Sequence, residues 1–194
     1  MPTKRIIKIP KQICLGIIAA AIEVFPKECM GCICADKKDQ LMGAFAYQLA
    51  HRKLVEVNSD SAQVFEKFFK EAGFKKFADF HSHTFQHFDE LLPLEPSSTD
   101  LREIEIGGIE FIIEIRRTRK IKKFWKQDKD EIKIGWGRWR FAIAAFQRLK
   151  FFGKHKIPLY KKLKIRLAGL KKKCSTITGV KTKSAKKSSK SKRR

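Results

Sequence analysis

The stretch that most constrains this chain runs from Asp79 to Asp100. It begins after the apolar Phe77-Ala78 as the end of a strand. Residues two apart on a strand project from one face, so His81 and His83 aim at a common point. Its last part, Pro96-Ser97-Ser98-Thr99-Asp100-Leu101, reads as the start of a helix, with hydroxyls for capping and an acid in the first turn, where the helix dipole favours negative charge. Two imidazoles and one carboxylate held on regular structure suggest a metal. Such a set leaves the fourth tetrahedral position of zinc open for water, the arrangement of a catalytic rather than a structural site.

That set lacks a base, and the run Phe25-Pro26-Lys27-Glu28-Cys29-x-Gly31 upstream offers one. Together, Glu28, His81-Ser82-His83 and Pro96-Ser97-x-x-Asp100 resemble the JAMM (MPN-plus, Mov34/JAB-type) zinc metalloproteases. The resemblance implies hydrolysis of an isopeptide or peptide bond after the C-terminal glycine of a ubiquitin-like protein, or maturation of a small sulfur-carrier protein. It also implies the roles: His81, His83 and Asp100 as ligands to Zn2+, Glu28 as the acid/base, and Ser97 as the hydroxyl that steadies the oxyanion. The chain departs from the family in two places. Thr84 stands where a proline follows the second histidine, and residues 84–96, thirteen positions, make a connection about twice the family's usual length. Closure entropy grows only logarithmically with length, so the extra residues weigh little against the ligand set. They include His87, Asp89, Glu90 and Glu95, and spacing alone leaves a set of His81, His83 and His87 open.

Charge divides the chain sharply. Residues 1–115 carry 14 Lys/Arg against 17 Asp/Glu, residues 116–170 carry 19 against 3, and residues 171–194 carry 11 against none. The candidate catalytic half is slightly acidic, and all excess positive charge lies downstream, which points to an anionic partner such as nucleic acid. The other reading is therefore a catalytically inactive MPN-type scaffold or a nucleic-acid-binding module. The tail cations Lys171, Lys172, Lys173, Lys186, Lys187, Arg193 and Arg194 would then contact the polyanion. Trp125, Trp136 and Trp139 interleave with Lys and Arg as on nucleic-acid surfaces, although aromatics on strands and helices more often fill cores.

Five cysteines in a chain too large to need staples favour a reducing, cytoplasmic compartment. Cys29-x-x-Cys32-x-Cys34 has no second Cys or His pair at metal spacing, so buried thiols on a core strand are the better reading. The apolar run Ile13 to Ile22 is short and followed by Glu23, unlike a signal peptide, and no stretch is long enough to span a membrane.

Periodicity predicts a strand at Ile6–Ile9, a buried helix over Lys11–Val24, strands from Glu28 to Cys34 and from Leu41 to about Leu54, and a turn at Asp36–Gln40. A helix over Ala62–Ala72 follows, with Val64, Phe65, Phe68 and Phe69 on one face and Gly73 as its stop. After the strand carrying the histidines come a helix near Ser98, a buried strand over Ile109–Ile115 and two strands around Gln127–Asp130. A basic amphipathic helix over Arg138–Phe152 closes the series. This alternation specifies an α/β fold, a mixed sheet flanked by helices. The expected organisation is one JAMM-like domain over residues 1–155, a basic extension over 156–170, and a disordered Lys/Ser-rich tail over 171–194.

Overall fold

A computed structural model of the chain describes residues 6–49, 59–85, 94–97, 100, 105–152 and 157–169. In chain order the elements are β1 (Ile6–Ile9), α1 (Lys11–Val24), β2 (Cys29–Ala35), β3 (Leu41–Leu49), α2 (Ser59–Glu71), β4 (Lys75–Phe85), β5 (Ile109–Asp128), β6 (Glu131–Phe152), β7 (Ile157–Lys162) and β8 (Lys164–Leu167).

Local chemistry sets the turns that join these strands. Asp36 accepts hydrogen bonds on Oδ1 from the Lys38 and Gln40 amides, both at 2.8 Å, which folds β3 back on β2. Lys129, at φ 49°, turns β5 into β6. Gly73, at φ 75°, ends α2 in the left-handed conformation that glycine adopts without steric cost. The principal sheet has the order β3-β2-β4-β5-β6-β7. All its neighbours are antiparallel except β4 and β5, which makes the sheet mixed.

Alternation along β2 separates two cores. Cys29, Ile33 and Ala35 face α1 and join Ile13, Ile17, Phe80, Phe111 and Ile143 in the main cluster, while Cys32 and Cys34 face Phe69 of α2. Helices thus cover both sides of the mixed sheet, as the α/β reading requires. The two helices differ from expectation in detail. α1 buries one face and leaves Leu15 and Ile22 exposed, and α2 buries Phe69 while Val64 and Phe68 face outward.

The segment Arg138–Phe152 is strand, not the expected amphipathic helix. Phe141, Ile143 and Ala145 pack into the main core, and Ala144 and Phe146 into a second cluster on the other face. Burial on both faces removes the polar/apolar alternation that marks a strand, and an apolar run of this kind mimics a helix. Residues 157–167, expected as part of an extension, belong to the fold as well. β7 pairs with β6 at the sheet edge, and β8 pairs in parallel with β1, placing Ile165 and Leu167 beside Ile7 and Ile9 in the main core. His51, His87, His155 and residues 171–194, including the tail cations, lie outside the described residues, as does most of the helix expected near Ser98. Among the described residues no helix is long and apolar enough to cross a membrane.

Candidate metal centre

β4 carries both histidines on the sheet face opposite α1. Phe80 between them packs into the main core, so period-two alternation turns His81 and His83 to the other side. Their Nε2 atoms lie 2.9 Å apart, and each is 3.4 Å from Oδ2 of Asp100. The three residues form the cluster of potential metal donors found among the described residues.

The long connection delivers its acid because its far end is pinned to the sheet. Leu94 is buried against Ile112, Ala144 and Phe146, and Tyr160 on β7 donates a hydrogen bond to Glu95 Oε2 at 3.1 Å. Ser97 and Asp100 then cap each other. The Ser97 amide donates to Asp100 Oδ2 at 2.6 Å, and the Asp100 amide donates to Ser97 Oγ at 3.2 Å. The thirteen-residue connection therefore does not displace Asp100 from the histidine pair.

Glu28 immediately precedes β2. The antiparallel register pairs Met30 with His81, and Glu28, two residues earlier in the chain, lies close enough to His83, His81 and Asp100 to feel their charges. Burial raises the Glu28 carboxyl above the usual carboxylate range, opposed by the nearby His83 and His81 and reinforced by Asp100. All five residues singled out in the sequence are thus described: His81, His83 and Asp100 converge, Glu28 lies within electrostatic range of them, and Ser97 sits at the exposed rim.

Three further residues complete the site, and none of them was given a role in it from the sequence. Glu110 on β5 accepts a hydrogen bond from His81 Nδ1 at 2.6 Å in a buried position. Ser82, facing away from the histidines, accepts the Cys29 amide on its Oγ at 2.9 Å and so fixes the backbone next to Glu28. Thr84 donates to the Pro26 carbonyl at 2.8 Å and ties the same segment from its other side. Glu110 did leave a trace in the sequence, as an acid in the otherwise apolar run that opens β5.

Electrostatics show that these groups favour a positive charge among them. Burial alone would lower the His81 pKa, but hydrogen bonds to Asp100 and Glu110 outweigh it and raise the value to about 10. Burial would raise Asp100, yet His81 and His83 hold it well below the usual carboxylate range. With Nδ1 donating to Glu110, the lone pair of His81 Nε2 faces another ring nitrogen and a carboxylate oxygen, an arrangement that only a proton or a cation relieves. The donor triangle has edges of 2.9, 3.4 and 3.4 Å. Tetrahedral ligands about 2.0–2.1 Å from zinc lie about 3.3 Å from one another, so the set fits that ion without large movement. The Glu110–His81 bond is of the kind by which a carboxylate orients a histidine that holds a metal. Burial, by contrast, pushes the Cys29 thiol up to about 11 and Cys32 up to about 12, which keeps both protonated at neutral pH and leaves them as core groups.

No family model and no curated protein matches the chain. The solution structure of protein DSY2949 from Desulfitobacterium hafniense resembles it with a TM-score of 0.55 at 15% identity, over 84% of this chain and 92% of that one. Likeness at that identity shows the fold alone.

Proposed function

We propose that the chain is a JAMM-type zinc hydrolase that cleaves the isopeptide or peptide bond after the C-terminal glycine of a ubiquitin-like or sulfur-carrier protein. One observation carries this reading: the His81, His83 and Asp100 donor triangle, at tetrahedral spacing, has Glu28 within electrostatic range of all three. Bound zinc would supply a hydroxide nucleophile near neutral pH and a positive centre for the developing oxyanion.

The chain's own groups account for the proton traffic. Glu28, desolvated and raised in pKa, is suited to accept a proton from the attacking water and to return it to the departing amine, a poor leaving group unless protonated. Ser97 accepts the Asp100 amide on Oγ, which leaves its own hydroxyl proton to donate toward the oxyanion; loss of one such donor typically costs about 10²–10³ in rate. Asp100 is held in position by the Ser97 amide, and Glu110 keeps His81 presenting Nε2. The buried, unpaired thiols Cys14, Cys29, Cys32 and Cys34 favour a cytoplasmic setting.

The deciding experiment compares wild type with Glu28→Gln and His83→Ala. About one zinc per chain is expected in wild type and in Glu28→Gln, with cleavage of a diglycine-linked ubiquitin-like substrate lost only in the latter. A His83→Ala variant that keeps both zinc and activity would remove the proposal.

A further inference from the structure

A second feature stands apart from the metal centre. Between Arg117 and Phe124 the β5–β6 ladder slips: Arg117 pairs with Trp139, Ile121 with Gly137 and Phe124 with Gly135, so β5 carries extra residues there. Such bulges twist a ribbon and push side chains out of the ladder. The displaced residues Arg119, Lys120, Lys122 and Lys123 are exposed, as is Arg117. Among the described residues, Arg117, Arg119, Lys120, Lys122 and Arg138 have no carboxylate partner, whereas Lys133 and Lys162 further along pair with Asp128 and Glu131.

Facing this cationic bulge is an aromatic surface. Trp136 is 53% exposed, and Lys123 Nζ lies 4.6 Å from its ring centroid. Gly137, at φ 61°, adds no side chain beside the ring. A mostly apolar cavity of about 440 Å³ opens there, between Trp136 and Trp139 with Ile22 and Phe141 around it and Arg138 at its edge. A large exposed indole next to an unfilled apolar slot on a positively charged ribbon invites a ligand that is both flat and anionic.

We propose that this part of the β5–β6 hairpin binds single-stranded nucleic acid, with a base on Trp136 entering the slot and the bulge cations on the flanking phosphates. Unpaired bases offer apolar planar faces at regular intervals between anions, which matches both halves of the surface. A duplex hides those faces in its stack, and an acidic polypeptide supplies the charge without the planar group.

The test uses full-length protein and fluorescence anisotropy with labelled oligodeoxythymidine and oligouridine of about 12 nucleotides, within the usual range of site sizes. Binding of either strand, with quenching of tryptophan fluorescence, is expected; the tighter of the two identifies DNA or RNA as the source. Trp136→Ala should weaken binding by roughly 5- to 100-fold while Trp136→Phe keeps most of it. Lys120→Gln/Lys122→Gln should reduce the slope of log affinity against log salt by about 1.4, the loss of two phosphate contacts to a single strand. Five tail substitutions, Lys171→Gln, Lys172→Gln, Lys173→Gln, Lys186→Gln and Lys187→Gln, should leave the dependence on Trp136 intact. The proposal is overturned if a natively folded Trp136→Ala binds as wild type. It fails equally if the tail substitutions abolish binding, or if polyglutamate displaces the oligonucleotide as well as unlabelled strand does.

Discussion

Both ring nitrogens of His81 are committed, Nδ1 to Glu110 and Nε2 toward His83 and Asp100. Glu110 thus sets which nitrogen is available to a metal. Replacing it by Gln keeps the shape but removes the charged acceptor, and zinc affinity should fall about 10- to 100-fold in competition with a chromophoric chelator. An unchanged affinity would reduce Glu110 to a bystander. The raised His81 pKa of about 10 has a second consequence: in the metal-free protein this imidazole carries a proton throughout the neutral range. Zinc requires it neutral, so binding at pH 7 should release that proton, and affinity should rise with pH until His81 titrates. Calorimetry in buffers of different ionisation enthalpy measures the release directly, and a binding enthalpy independent of buffer would contradict it.

Among the elements, β2 and the end of the long connection hold the site together. Gly31 on β2 has no room for a side chain, because a Cβ there would collide with the Phe45 carbonyl oxygen and the Phe80 ring. Gly31→Ala should cost about 1–3 kcal/mol in urea unfolding, since backbone cannot yield as a flexible side chain can. The connection is secured differently, through Leu94 on Ile112, Ala144 and Phe146. Leu94→Ala removes that anchor while leaving both histidines on β4. Zinc should then dissociate roughly tenfold more readily, and amide exchange at Ser97 and Asp100 should quicken; retention of wild-type exchange rates would mean that the capping pair holds itself.

For the molecule as a whole, the telling contact joins distant parts of the sequence: β1 pairs in register with β8, Ile7 opposite Ile165 and Ile9 opposite Leu167. These residues share the main core with α1 and the centre of the six-stranded sheet. Ile165→Ala should therefore lower stability by about 2–5 kcal/mol in denaturant unfolding, the range for truncating a fully buried aliphatic side chain. A loss under 0.5 kcal/mol would mark residues 157–167 as an appendage after all.

Most strands and both described helices announce themselves locally, through alternation in β1, the Gly73 stop after α2 and Asp36 in the turn to β3. The candidate donors do so as well, because His-x-His on a strand and Ser-x-x-Asp at a helix start each carry their own direction. What local pattern could not convey is anything settled by partners far along the chain. β6 is buried on both faces and so lost its period of two. β8 looked like a basic extension because its role depends on meeting β1. Glu110 becomes part of the centre only when β5 lies parallel to β4. Side-chain periodicity records one element's own surface, whereas pairing across a sheet depends on surfaces brought together from elsewhere, and there only the tertiary structure decided.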